Sequence, residues 1–174
     1  VKNAAQAIND IIEETPFQYN ERISNKLNCN VYLKREDLQQ VRSFKIRGAY
    51  NKINSVVDKA RKNGVVCASA GNHAQGFALA CSSLEIQGQV YMPITTPKQK
   101  IEQVKTFGKN YIEVELNGDF FDDCQSIAID FAKKNNKIFI HAFDDIKVIE
   151  GQGTTALEIL NQFDKHLDYL FVPI

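Results

Sequence analysis

Three short segments place glycine or polar residues where turns should meet helix starts, and such places leave backbone N–H groups free to hold an anion. The first is Ser43-Phe44-Lys45-Ile46-Arg47-Gly48-Ala49. The second, Ser69-Ala70-Gly71-Asn72-His73-Ala74-Gln75-Gly76, directly follows the apolar run Val65-Val66-Cys67-Ala68. With that run as a buried strand, the segment begins at a strand's carboxyl end, where open α/β sheets bind their ligands. The third, Gly151-Gln152-Gly153-Thr154-Thr155, falls at or near the start of a helix expected over residues 156–163. Nucleotide chemistry fits these segments poorly. The second lacks the Lys-Ser/Thr pair of a phosphate-gripping loop, and the third lacks the last glycine of a dinucleotide fingerprint. Taken singly, the residues stay open to plainer readings: Lys45 is one of 16 lysines, whose usual fate is a solvated surface. Asn72 serves equally well as a helix cap, and Ser69 as a turn residue.

The elements that must position these segments follow from spacing. From Val65 onward, short β-branched runs at 65–68, 89–92, 111–114 and 138–140 alternate with amphipathic stretches, which predicts an α/β fold on a parallel sheet. Phe77, Cys81 and Leu84; Ile101, Val104 and Phe107; and Phe120, Cys124, Ile127 and Phe131 each line one face at helical spacing and read as core. Ahead of this block the pattern predicts a helix over 4–12, ended by Thr15-Pro16, and a strand over 31–33. Behind it, Ala156, Ile159, Leu160 and Phe163 mark a helix that feeds a last strand over 169–172. A parallel strand there should lead into a crossover and a functional loop, yet the sequence stops at Pro173-Ile174, so we expect a fragment of a longer protein.

Lys plus Arg and Asp plus Glu both number 21 in 174 residues, which leaves no net charge to draw the chain to nucleic acid or to an anionic membrane. Apolar stretches run only four or five residues, and the start Val1-Lys2-Asn3 lacks the apolar block of a secretory signal. The expectation is a cytoplasmic protein with no nucleic-acid or membrane partner. Cys29, Cys67, Cys81 and Cys124 form no Cys-x-x-Cys pair and have no His at ligand spacing. That argues against zinc and against a disulfide scaffold, and predicts buried thiols.

Four motifs in order, LKREDLQ at 33–39, SFKIRGAYN at 43–51, ASAGNHAQG at 68–76 and GQGTTALEIL at 151–160, resemble the fold-type II pyridoxal-phosphate enzymes, and among them the biosynthetic threonine dehydratases, or threonine deaminases. The likeness runs over nearly the whole chain. It implies a tryptophan synthase beta-like α/β architecture with a three-layer parallel sheet. Residues 1–49 would be the amino-terminal segment of a large lobe, 50–145 a small lobe with four parallel strands, and 146–174 the start of the remaining large lobe. It also implies pyridoxal 5'-phosphate as cofactor and an ammonia-lyase that converts L-threonine to 2-oxobutanoate and ammonia, the first step of isoleucine biosynthesis. The parent protein would be a homo-oligomer acting on a small amino acid.

At the matching positions, the resemblance implies that Lys45 holds the cofactor through its amine and then removes the substrate's Cα proton, its pKa lowered by desolvation near the cation of Arg47. Phe44 would pack beside the cofactor or be plain core. Asn72 would hydrogen-bond the cofactor ring's phenolic oxygen, while the N–H groups and hydroxyl of Ser69, Ala70, Gly71, Asn72 and His73 hold the substrate carboxylate. Gln152 and Gly153 would shape the opposite wall; His141 and His166 read as structural, and no metal is implied. Serine racemase and serine dehydratase compete with this reading. The racemase has a serine where Ala70 stands here, and alanine has no proton to deliver, so elimination is favoured. The family's glycine run for the cofactor phosphate, its Ser or Cys facing the pyridine nitrogen and its regulatory domain are not in the chain, so a folded lobe without activity is a further alternative.

Overall fold

The computed structural model describes residues 1–173. In chain order its elements are α1 (Lys2–Ile8), β1 (Phe17–Tyr19), α2 (Glu21–Leu27), β2 (Tyr32–Lys34), α3 (Lys45–Asn54), α4 (Val57–Asn63), β3 (Val65–Ala68), α5 (Asn72–Leu84), β4 (Gly88–Met92), α6 (Lys98–Gly108), β5 (Ile112–Leu116), α7 (Phe121–Lys134), β6 (Ile138–Phe139), α8 (Ile146–Gln152) and α9 (Thr154–Gln162). β3 to β6 form one sheet in the order β5-β4-β3-β6, every pair parallel. All four expected strands are therefore present, shifted by a residue or two.

Period-two alternation divides β3 between two cores. Val65 and Cys67 pack with Phe77, Ala78 and Cys81 of α5 on one face, whereas Val66 and Ala68 face Ala128 and Ala132 of α7 on the other. Helices on both faces of a parallel sheet give three layers. The inward stripe of α7 differs from the expected one: Cys124, Ala128 and Ala132 are buried, while Phe120 is 73% exposed and Ile127 also faces outward. Small side chains at i and i+4 let this helix lie close to the sheet, which turns the bulkier residues away. On α9, Ile159 is buried but Leu160 is exposed.

Other expectations are corrected at the ends. α1 stops at Ile8 rather than 12, because the Ile11 and Ile12 N–H groups both bond back to the Ile8 carbonyl and close a turn over Asn9 and Asp10. Residues 169–172 make no strand; Tyr169 is 81% and Phe171 91% exposed, and a strand without a neighbour has no ladder to join. Cys29 is exposed in the turn after α2, beyond the left-handed Asn28; Cys67, Cys81 and Cys124 are buried as expected. β1 and β2 form an antiparallel ribbon on which the Phe17, Tyr32 and Phe163 rings cluster at 4.8–5.4 Å.

Candidate functional site

The strand order sets where a crevice opens. The chain leaves β3 through α5 toward β4 on one side, whereas β6, reached last, pairs with β3 on the other. Connections that depart in opposite directions from adjacent strands leave a gap at their carboxyl ends. Ser69 lies at that end of β3: its N–H donates to the Tyr91 carbonyl at 3.0 Å, and its Oγ accepts from the Gly71 N–H at 3.2 Å. This bends the chain into α5, whose first residues, Asn72 and His73, carry the unpaired N–H groups of a helix start. A Cβ built on Gly71 meets nothing within 4 Å, so the approach to this turn is open.

Lys45 reaches the same place from α3. A Cβ added at Gly76 would stand 2.9 Å from Ile46 N and Lys45 C, so glycine is what allows the α3 and α5 backbones to cross here. Asn72, four residues earlier, lies on the same face of α5 one turn toward its start, and its side chain is exposed. The Lys45 amine sits 5.4 Å from the Phe44 ring centroid and donates to the Ala142 carbonyl at 3.2 Å. Two residues before that acceptor, the Ile140 carbonyl accepts from His73 Nε2 at 3.3 Å. Lys45, His73 and the segment after β6 thus meet at the β3–β6 crevice. His73 Nδ1 is buried there without a partner, and Ser43 Oγ, two residues before Lys45, is likewise buried and unpartnered.

The electrostatics favour a neutral site. Burial lowers the Lys45 pKa from its ordinary value. Burial also pushes the His73 imidazole down to about 4, with the charges of Lys45 and His141 acting in the same direction against its bond to Ile140. Arg47 plays no part in the Lys45 shift, contrary to the expectation from sequence. Two residues on in the helix, its side chain points elsewhere and is fully buried between Glu36 and Glu158. Its cation is neutralised there, and desolvation alone acts on Lys45.

The third motif packs against α3 at a different level. Gln152 Oε1 accepts from the Gly48 N–H at 3.2 Å, its Nε2 is buried without a partner, and a Cβ on Gly151 would come 2.5 Å from the Arg47 carbonyl. Gly153 backs onto Val1. His166 is on the surface, 3.6 Å from Asp168. Two surface depressions, one between α1, α3 and α8 and one between α5 and α6, both exclude Lys45. Spacing gave no sign of residues 140–142, because they contribute through backbone carbonyls, which any residue type supplies. An amine whose proton affinity is lowered by burial, beside a helix start that favours anions, can add to an aldehyde, accept a proton, and act on a molecule bearing a carboxylate.

Residues 8–174 match the family model described as "Pyridoxal-phosphate dependent enzyme". The chain is 53% identical over 171 residues to the L-threonine dehydratase biosynthetic IlvA of Halalkalibacterium halodurans, covering 98% of this chain and 41% of that protein. It is 50% identical over 174 residues to the protein of the same name from Bacillus subtilis, again covering 41% of it. Among solved structures it is similar to the processed form of threonine deaminase isoform 2 from Solanum lycopersicum, with TM-score 0.86 and 41% identity over 94% of this chain and 44% of that one. Serine racemase from Dictyostelium discoideum matches with TM-score 0.83 and 31% identity over 94% of this chain and 52% of that one. The chain thus spans under half the length of the dehydratases it matches.

Proposed function

The chain belongs to the family of pyridoxal-phosphate dependent enzymes, and on that premise we propose that it is the Lys45-bearing part of an L-threonine dehydratase, which removes water from L-threonine and releases 2-oxobutanoate and ammonia. The observation that carries this reading is the Lys45 amine, its pKa lowered by burial, at the crevice where α5 begins.

The residues fit the cofactor. His73 Nδ1 is buried and unpartnered at the crevice, as a polar atom would be where a polar group docks. Lys45 would hold the cofactor through its amine, Phe44 would pack beside it and Asn72 would bond its phenolic oxygen. When bound, the cofactor supplies a sink for the electron pair left at the substrate Cα. The protein's own residues do the rest. The N–H groups from Ser69 to His73, at the positive end of α5, hold the substrate carboxylate. The freed Lys45 amine takes the Cα proton, and the burial that lowers its proton affinity favours the unprotonated form this step needs. Ala70 offers no hydroxyl to return a proton, which favours elimination over racemisation. Gln152 supports α3 through its bond to the Gly48 N–H, and Gly153 beside it would shape the far wall of the pocket.

The same reading divides the chain into a small lobe over 50–145 and large-lobe segments over 1–49 and 146–174. It is supported by the four sheet strands, which all lie between 65 and 139, and by Arg47, which joins Glu36 to Glu158 across the flanking segments. A cytoplasmic homo-oligomer acting in isoleucine synthesis completes the proposal. In the full-length protein, Lys45→Ala should lower 2-oxo acid formation from threonine by roughly 10³-fold or more without changing the melting temperature. Retained turnover would refute the assignment.

A further inference from the structure

We infer that His141 is a positioning residue: its imidazole shapes the 141–144 turn that carries the Ala142 carbonyl, and through that carbonyl it sets where the Lys45 amine rests. The inference depends on the reading of Lys45 as the amine that holds the cofactor.

His141 Nδ1 accepts from two backbone N–H groups, Phe143 at 3.2 Å and Asp144 at 2.8 Å. Accepting both requires a bare lone pair at Nδ1, with the ring proton on Nε2. The ring's tilt is set by edge contacts to Phe143 at 4.6 Å and Phe139 at 6.1 Å. The turn hangs between two firm anchors. At its start the Ile140 N–H extends the sheet to the Val66 carbonyl at 2.8 Å, and His73 grips the Ile140 carbonyl. At its end Asp145 Oδ1 caps α8 through the Lys147 and Val148 N–H groups, while Oδ2 pairs with Lys52 at 2.7 Å. Lys45 and Lys52 are seven residues apart and share a face of α3, so one helix face holds this strap at Ala142 and at Asp145. Between the anchors, the imidazole replaces the backbone bonds that a regular element would provide.

The consequence falls on the amine. When the amine loses its proton, an N–H given to a fixed carbonyl leaves its lone pair pointing away from that carbonyl. Of the titratable groups around the crevice, His73 from α5 feels the charges of both Lys45 and His141, while burial is what acts on the amine itself. Releasing the turn lets Ala142 move and water reach the amine, which disperses its direction and brings its proton affinity back toward that of an ordinary lysine.

The test uses cofactor-free full-length protein and two variants. His141→Phe keeps an aromatic ring but removes the acceptor. His141→Asn removes the ring but offers an oxygen to the N–H groups two and three residues on, the geometry of an Asx turn. Acetic anhydride labelling of the Lys45 peptide, followed by mass spectrometry across pH, reads the amine directly. Borohydride trapping of added pyridoxal phosphate reads its capture. The wild-type labelling midpoint should lie below that of an ordinary lysine. In His141→Phe it should rise by about one pH unit, so labelling below the midpoint slows roughly tenfold and trapping falls with it; His141→Asn should restore both. A His141→Phe profile that overlays the wild type overturns the inference, as does an Asn variant that behaves like an unfastened one. Absence of trapped cofactor on wild-type Lys45 would instead strike the proposed function, and the labelling profiles would still decide the role of His141.

Discussion

Arg47→Met replaces the most heavily bonded side chain of α3 with an apolar one of similar length. The guanidinium spends all five of its N–H donors: Nε and Nη2 on the two oxygens of Glu36 at 2.8 and 2.7 Å, Nη1 and Nη2 on those of Glu158 at 2.6 and 2.9 Å, and Nη1 on Thr154 Oγ1 at 3.0 Å. Glu158 keeps Lys34 after the substitution, but Glu36 keeps only the Thr15 hydroxyl at 2.6 Å and a long bond from Gln39. Removing one partner from a buried ion pair costs about 3–5 kcal/mol because the other charge is left unpaired. The variant should be destabilised by that amount in urea titration. The pH dependence carries a sign that a simple packing loss would not. In the wild type the Glu36 pKa is lowered, its bonds to Arg47 and Thr15 outweighing desolvation. Its contribution is therefore complete above the ordinary carboxylate value and is lost as pH falls through the lowered one. Without Arg47, desolvation dominates and raises the folded pKa, so the variant should gain stability as pH falls into the carboxylate range, opposite to the wild type. Adding Glu36→Gln to Arg47→Met should remove that slope and recover part of the loss. An Arg47→Met protein within about 1 kcal/mol of wild type, with an unchanged pH slope, would refute the reasoning.

Two further outcomes follow from the site. Gly76→Ala drives a methyl group into the Lys45–Ile46 backbone, which cannot rotate away, so stability should drop by about 1–3 kcal/mol and the Lys45 labelling midpoint should move; thermal melts and peptide labelling check both. Ala70→Ser introduces a hydroxyl at the α5 turn, so exchange of the serine Cα proton with deuterated water, or appearance of D-serine, should increase in the full-length protein. No change in either removes Ala70 from the elimination-versus-racemisation argument.

The parallel sheet was legible because a strand buried on both faces must be apolar throughout, and the runs from Val65 onward are short, β-branched and spaced by helical patterns. Of the β1–β2 ribbon, β2 was expected at 31–33 and lies one residue later, whereas β1 and its pairing with β2 were not legible. β1 has three residues, too few for alternation to register, and its packing partner Phe163 lies more than a hundred residues away. The α7 stripe was half legible: Cys124 is buried and Phe131 packs on the core as expected, whereas Phe120 and Ile127 face outward, because periodicity marks large apolar residues while the close approach of that helix selects alanine. The strand expected at 169–172 has the right residue types, but β-propensity describes how well a side chain fits a sheet and cannot supply the neighbouring strand.

At the site the division runs between side chains and backbone. Lys45, Phe44, Asn72 and Ser69 were legible because each lies in a motif whose local order is unusual. The acceptors that hold His73 and Lys45 were not, since the carbonyls of Ile140 and Ala142 lie 67 and 97 residues from those side chains. Arg47 shows the converse error. Its nearness to Lys45 in sequence invited a direct electrostatic role, yet two residues along a helix is about 200° of rotation, which turns the two side chains to opposite faces. Lys45 looks into the crevice and loses water there; Arg47 looks into the protein and ties α3 to Glu36 and Glu158. One helix can therefore lower the proton affinity of its first residue and be anchored by a fully ionised third residue, because the two charges are served by separate surroundings.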